Sequence, residues 1–144
     1  MKSNKILIMG LPGSGKTTLS KELALLLNAV HFNADEIRKN INKDLGFSSK
    51  DRIEQARRMG WLCDQVAKTD SYVIADFVCP THKTRRAFGK CFLVFLDTID
   101  KSKYKDTNKL FSAPKFVDFL IKRKSAKFYA KKIQNIIDKK RLKI

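Results

Sequence analysis

Nine consecutive residues, Gly10-Leu11-Pro12-Gly13-Ser14-Gly15-Lys16-Thr17-Thr18, hold the densest chemistry in the chain. They fit G-x-x-x-x-G-K-[ST], with Gly10, Gly15, Lys16 and Thr17 at the fixed places. Glycines let a backbone curl until several N–H groups face one point, and a helix that starts inside the run adds partial positive charge there. Such a cradle suits the phosphates of a nucleoside triphosphate. Lys16 reaches for the outer phosphates, and the Thr17 hydroxyl can ligate Mg²⁺. Asp76 is a second candidate metal ligand, because it ends the apolar run Tyr72-Val73-Ile74-Ala75 as the metal carboxylate of such sites does. A helix cap or a plain polar strand end is an equal reading of Asp76.

The flanks decide whether the glycine run is a phosphate loop or an ordinary turn. Ile6-Leu7-Ile8-Met9 before it suits a buried parallel strand, and Leu19, Leu23, Leu26 and Leu27 after it recur at helical spacing. Strand, glycine turn and helix is the context that makes the motif meaningful. Downstream, strands are expected at 29–32, 72–75, 92–96 and 117–121. Between them, Asn33 or Asp35 can cap one helix, and Ser48 caps another that runs to about Lys68. That second helix should bury Ile53, Ala56, Gly60, Cys63 and Ala67, with Arg52 and Gln55 sharing a face. Thr81 to Phe88 reads as a short helix. Residues 99–114 are polar, lysine-rich and without clear periodicity, and are expected to be a loop or mobile segment. Ser125 then opens a helix whose apolar stripe is Ala126, Tyr129, Ala130, Ile133, Ile136 and Ile137.

Alternating strands and helices imply an α/β fold of the P-loop NTPase type, three layers deep around a parallel sheet. Ligands of such sheets lie at the carboxyl ends of the strands. That rule gathers Asp35, Asp76 and Asp97 with Arg38, Arg52 and Arg85. The 144 residues are expected to form one kinase-sized domain. No apolar run reaches a membrane span and no secretory leader is evident, so a cytoplasmic protein without a membrane partner is expected. The three cysteines show no metal-like spacing; Cys63 and Cys91 are read as packing residues and His31 as structural.

The net charge of +17 invites a nucleic-acid reading. Residues 101–144 hold 15 of the 31 basic side chains but only three of the 14 acidic ones, so the excess is concentrated there. Lysine supplies 23 of the 31, and Lys127, Lys131 and Lys132 fall outside the last helix's apolar stripe, as a solvated face would. A nucleic-acid partner stays open but is not favoured.

Longer motifs add a family. Asp35-Glu36-Ile37-Arg38, then Leu45-Gly46-Phe47-Ser48, then Asp51-Arg52-Ile53-Glu54-Gln55-Ala56-Arg57-Arg58, together with the phosphate loop, resemble adenylylsulfate kinase. Phe77-Val78-Cys79-Pro80 and Phe95-Leu96-Asp97-Thr98 continue the likeness, which covers about residues 5–98. The resemblance implies transfer of the ATP γ-phosphate, with Mg²⁺, to the 3′-hydroxyl of adenosine 5′-phosphosulfate in sulfate activation. It implies that Asp35 orients the hydroxyl and takes its proton, alongside Lys16 in catalysis. It also implies that Arg38 and Arg52 hold the phosphosulfate, that Phe47 stacks on adenine, and that Gln55 stands in for an Asn.

The chain departs from the family's pattern in places. Asn33 replaces the first Asp of D-G-D, Cys79 replaces a Ser, and Thr81-His82 replaces Tyr-Arg. After Thr98 a long lid is reduced to residues 101–111, whose lysines could serve as a shortened lid and whose Phe111 could supply a second aromatic face. Asp106-Thr107-Asn108 could fix that segment or touch the nucleotide. Two alternatives stay open: a P-loop kinase for another hydroxyl (nucleoside, sugar or polynucleotide 5′ end), and a nucleotide-binding module without catalysis. A small-molecule nucleotide is the expected partner, and a homodimer is left open.

Overall fold

The computed structural model describes residues 4–142. Eleven elements are present: β1 (Lys5–Gly10), α1 (Lys16–Leu27), β2 (Val30–Asn33), α2 (Ala34–Asn40), α3 (Ser49–Ala67) and β3 (Val73–Asp76) come first. α4 (His82–Phe88), β4 (Phe92–Leu96), α5 (Lys105–Leu110), β5 (Phe119–Ile121) and α6 (Ala126–Leu142) complete the chain. The strands form one sheet in the order β2-β3-β1-β4-β5, and every pairing is parallel. β1 is the central strand, buried along its whole length, which is why it reads as an unbroken apolar run rather than an alternation.

The period of two splits β1 between the two faces. Ile6 and Ile8 pack with Leu19, Leu23 and Leu27 of α1 and with Ala130, Ile133 and Ile137 of α6. Leu7 and Met9 pack with Ile37 of α2, Ala56, Met59 and Cys63 of α3, and Phe88 of α4. Helices cover both faces, as the alternation of elements requires. Lys5 is polar yet buried in this strand. Its ammonium donates to Phe88 O and Asp64 Oδ1, both at 2.8 Å, and lies 4.4 Å from the Phe88 ring centroid, so its charge is fully partnered.

Local signals set the helix starts. The Asn33 side chain accepts from the Glu36 N–H, placing Asp35 and Glu36 in the first turn of α2. Asn33, not Asp35, is therefore the cap. Ser48 caps α3 by accepting from the Asp51 N–H, and Thr81 with Thr84 forms a reciprocal cap on α4. Cys79 leads into that cap with φ +47°, and its buried thiol is pushed up to about 12 by desolvation. The buried stripe of α3 is Arg52, Gln55, Ala56, Met59, Gly60, Cys63 and Ala67. Ile53 is only half-buried; Arg52 and Gln55 take the inward face at that end of the helix instead. Ala126, Tyr129 and Ile136 of α6 flank its buried residues, while Lys127, Lys131 and Lys132 are exposed.

The stretch 99–114 departs from expectation, because it contains α5. Asn108 ties the start of this helix together. Its Oδ1 accepts from the Ser102 N–H at 2.8 Å and from Ser102 Oγ at 2.7 Å, and its Nδ2 donates to Ser102 O at 2.8 Å. These are local bonds of a polar side chain to nearby backbone and hydroxyl, which hydrophobic periodicity does not register. Among the described residues, no helix is long and apolar enough to cross a membrane.

α3 and α4 cross with almost no space between them. A Cβ on Gly60 would meet Phe88 O at 2.2 Å and the Phe88 carbonyl carbon at 2.9 Å. Backbone cannot yield as a side-chain tip would. Gly60→Ala should therefore destabilise the fold by roughly 1–3 kcal/mol, read as a Tm drop on the order of 5 °C in thermal unfolding.

Candidate functional site

The glycine run forms a tight turn between β1 and α1. The Ser14 N–H donates to Leu11 O at 3.1 Å, and Gly13 and Gly15 hold φ +88° and +103°, conformations that side-chain-bearing residues avoid. Gly15 caps α1 without any side-chain hydrogen bond, so the first N–H groups of the helix are left for a ligand. Thr98, just after β4, donates from its hydroxyl to Ser14 O at 2.8 Å and pins the turn from the neighbouring strand. Lys16 folds over the turn and donates to Leu11 O at 3.0 Å. Burial lowers the pKa of its ammonium, and the carboxylates of Asp76 and Asp35 work against that shift.

Beside the turn, β2 and β3 end together, with Asn33 and Asp76 opposite one another in register. Asp76 is buried. Its Oδ2 accepts from Asn33 Nδ2 and from His31 Nε2, each at 3.1 Å. Its Oδ1 has no hydrogen-bond partner. Asn33 Nδ2 is also 3.3 Å from Thr17 Oγ1, so one amide joins the strand-end carboxylate to the phosphate turn. An orphaned carboxylate oxygen beside a threonine hydroxyl and a phosphate cradle fits Mg²⁺, which takes few protein oxygens and fills its shell with water and phosphate. Among the described residues no group of three or more His, Cys, Asp or Glu could hold a metal by itself, in keeping with such a sparse site. His31 is thus a carboxylate partner, and its signal was the two-residue spacing that puts it on one face with Asn33.

Asp35 and Arg38 project from the first and last turns of α2. Arg38 donates to Gly46 O at 2.8 Å, and its guanidinium carbon lies 4.3 Å from the Phe47 ring centroid. Arg52 of α3 donates from Nε to Phe47 O at 2.9 Å, and its guanidinium is 5.5 Å from the same ring. Two arginines thus grip a phenylalanine that remains 63% exposed, leaving it free to stack on a planar ligand. Burial and then the nearby Arg52 push the Arg38 pKa down; an anion placed between the two would relieve that repulsion. Gln55 is used differently. Its Oε1 accepts from Asn42 at 2.7 Å and its Nε2 donates to Ala34 O at 3.4 Å, so both ends of the amide brace the loop and α2.

These residues surround one cavity of about 420 Å³. Lys16, Thr17, Asp35, Arg38, Phe47, Arg52, Gln55 and Asp76 all line it, joined by Tyr104, Asp106 and Thr107 from the far side. A second cavity of about 500 Å³ lies across the phosphate turn, sharing Gly13, Lys16 and Thr17 with the first. Arg123, Lys124, Ser125 and Tyr129 form its outer wall. The sequence pattern assigned these four only to a strand-to-helix junction and a core stripe. The phosphate turn therefore stands between two chambers, with room for a ligand on each side.

Two expectations from the strand-end rule, and one from the resemblance, are corrected. Arg85 donates to Cys79 O and Ser112 O, both at 2.9 Å, and clamps two loops together. Asp97 is paired with Lys122 at 2.6 Å. Neither lines the first cavity, because each side chain is claimed by another partner. Phe111 offers no second face to a ligand there, since it stacks on Phe95 at 5.9 Å between centroids. The Asp106-Thr107-Asn108 stretch divides its work: Asn108 ties the segment, while Asp106 and Thr107 reach Arg52 at 3.5 and 3.1 Å.

A family model described as adenylylsulphate kinase matches residues 2–115. The bifunctional enzyme NodQ of Rhizobium meliloti (strain 1021) is 32% identical over 114 residues, covering 71% of this chain and 18% of that protein. Adenylyl-sulfate kinase 3 of Arabidopsis thaliana is 39% identical over 85 residues, covering 56% of this chain and 41% of that one. The chain thus spans less than half the length of either relative. Among solved structures, the APS kinase CysC of Mycobacterium tuberculosis in complex with AMPPNP and APS superposes with a TM-score of 0.85. That likeness covers 95% of this chain and 98% of CysC at 20% identity, and so speaks for the fold.

The Asn33–Asp76 pair can be tested directly. Asn33→Asp removes the donation to Asp76 Oδ2 and sets two carboxylates opposite each other on adjacent strands. It should lower stability by about 1–3 kcal/mol, and adding Asp76→Asn should restore most of the loss in a double-mutant cycle of thermal melts.

Proposed function

Because the chain belongs to the adenylylsulfate kinase family, we propose that it transfers the γ-phosphate of ATP to the 3′-hydroxyl of adenosine 5′-phosphosulfate. The observation that supports this most is one shared wall: Asp35, Arg38, Phe47 and Arg52 line the same cavity as Lys16 and Thr17. An acceptor held there faces the end of a triphosphate held by the turn.

In this reading the N–H groups of residues 13–18 cradle the ATP phosphates, and Lys16 neutralises the charge that develops on the moving phosphoryl group. Thr17 and Asp76 are the protein ligands for Mg²⁺, which supplies further positive charge to the phosphates. Asn33 and His31 hold one oxygen of Asp76 and leave the other for the cation. The second cavity takes the base and ribose of ATP, with Arg123 and Tyr129 beside them. On the acceptor side, Phe47 stacks on the adenine, and Arg38 and Arg52 meet the phosphosulfate with forked donors. Asp35 accepts the proton of the 3′-hydroxyl as its oxygen bonds to phosphorus and the bond to the leaving ADP breaks. Gln55 supports this wall from behind.

The test is a panel of acceptors with Mg-ATP, following ADP release on adenosine 5′-phosphosulfate, nucleosides, sugars and 5′-hydroxyl oligonucleotides. Turnover is expected on adenosine 5′-phosphosulfate. Turnover confined to another acceptor would replace that substrate, and ATP binding without turnover on any acceptor would leave a nucleotide-binding module. With the active acceptor, Asp35→Ala should cut kcat about 10²-fold or more while the KM for ATP changes little. An unchanged kcat would remove Asp35 from proton transfer.

A further inference from the structure

The first cavity contains a carboxylate that the proposed chemistry does not use. Lys16, Arg38 and Arg52 bring three positive charges to the first cavity, and Asp35, Asp76 and Asp106 bring three negative ones. Asp35 and Asp76 have places beside the acceptor hydroxyl and the phosphate turn. Asp106 sits instead on α5, with Oδ2 3.5 Å from Arg52 Nη2.

Its position is imposed by its surroundings. The next residue, Thr107, is buried, and its hydroxyl accepts from Arg52 Nη2 at 3.1 Å. The segment is fastened further where Phe111 stacks on Phe95 and the Ser112 N–H donates to Pro80 O at 2.8 Å. Arg52 Nε is already committed to Phe47 O. Nε and Nη2 are thus engaged, and Asp106 sets its negative charge beside Nη2 of the guanidinium that an anionic ligand would approach. Asp106 itself is largely solvent-exposed, so the pair is weak enough for a ligand to break.

We propose that Asp106 is a specificity-determining residue: it stands at Arg52 as an internal anion and sets how much negative charge an acceptor can bring to the Arg38–Arg52 pair. This rests on reading the Arg38, Phe47 and Arg52 wall as the acceptor's. A strongly anionic group competes with Asp106 for Arg52 and is repelled by it. A neutral acceptor leaves the Arg52–Asp106 pair in place. Affinity for anionic acceptors is therefore held below what two arginines alone would give.

Asp106→Asn keeps the shape of an exposed side chain and leaves the Thr107 bond intact. The probe is inorganic sulfate, titrated with the phosphate turn filled by saturating Mg-AMPPNP and followed through the Arg38 and Arg52 guanidinium NMR signals. The variant should bind sulfate about two- to fivefold more tightly, and the gain should shrink as NaCl is raised. Arg52→Gln in the variant background should abolish it. The KM for adenosine 5′-phosphosulfate should fall by a similar factor without a matching change in the KM for ATP. Equal or weaker sulfate binding by Asp106→Asn would overturn the proposal whatever the acceptor is. A sulfate gain without turnover on adenosine 5′-phosphosulfate would keep the role of Asp106 and overturn that substrate.

Discussion

The site depends on how closely two neighbouring strands meet at their carboxyl ends. A Cβ on Gly10 would lie 2.7 Å from both Leu96 O and Ser14 Oγ, so a residue with any side chain would force β1 and β4 apart where the phosphate turn begins. With glycine there, β4 can deliver Thr98 to Ser14 O. The turn is then fixed to the sheet from two strands at once. A phosphate cradle works only if its N–H groups are already aimed before the ligand arrives, because ordering them on binding would consume binding energy.

The parallel sheet extends the same logic to the carboxylates. β3 pairs with β1 and β2 with β3, and β2 and β3 end together, which sets Asn33 opposite Asp76 and within reach of Thr17. A neutral amide at position 33 is what the geometry favours. It donates to a buried carboxylate that a second carboxylate would repel, and it passes that alignment to the threonine of the phosphate turn.

α3 and α5 make the other wall by an uncommon use of polarity. Arg52 lies on the buried stripe of α3, where its forked donors satisfy Phe47 O and Thr107 Oγ1. A guanidinium in that place costs desolvation, which these two hydrogen bonds and the nearby Asp106 carboxylate offset in part. It also makes Arg52 the joint between the loop carrying Phe47 and the segment after Thr98. The segment carrying α5 is therefore held to the body of the protein by a residue that also lines the cavity.

The fold and half of the site were legible in the sequence because they rest on local rules. Ile6 to Thr18 state strand, turn and helix by hydrophobic run, glycine spacing and helical periodicity, and Asn33, Ser48 and Thr81 announce helix starts by chemistry within three residues of themselves. Asp35, Arg38, Phe47 and Arg52 could be named as candidates through the family resemblance, with the strand-end rule beside it for the charged three. What the sequence left undecided is long-range partnership. Whether Arg85 or Asp97 enters the cavity depends on Ser112 and Lys122, 27 and 25 positions away. Whether Asp106 touches Arg52 depends on packing between residues more than 50 positions apart. Local backbone preference is written in neighbouring residues, so it survives as pattern. Competition among distant side chains for one guanidinium or one carboxylate is settled only once the sheet has brought them together.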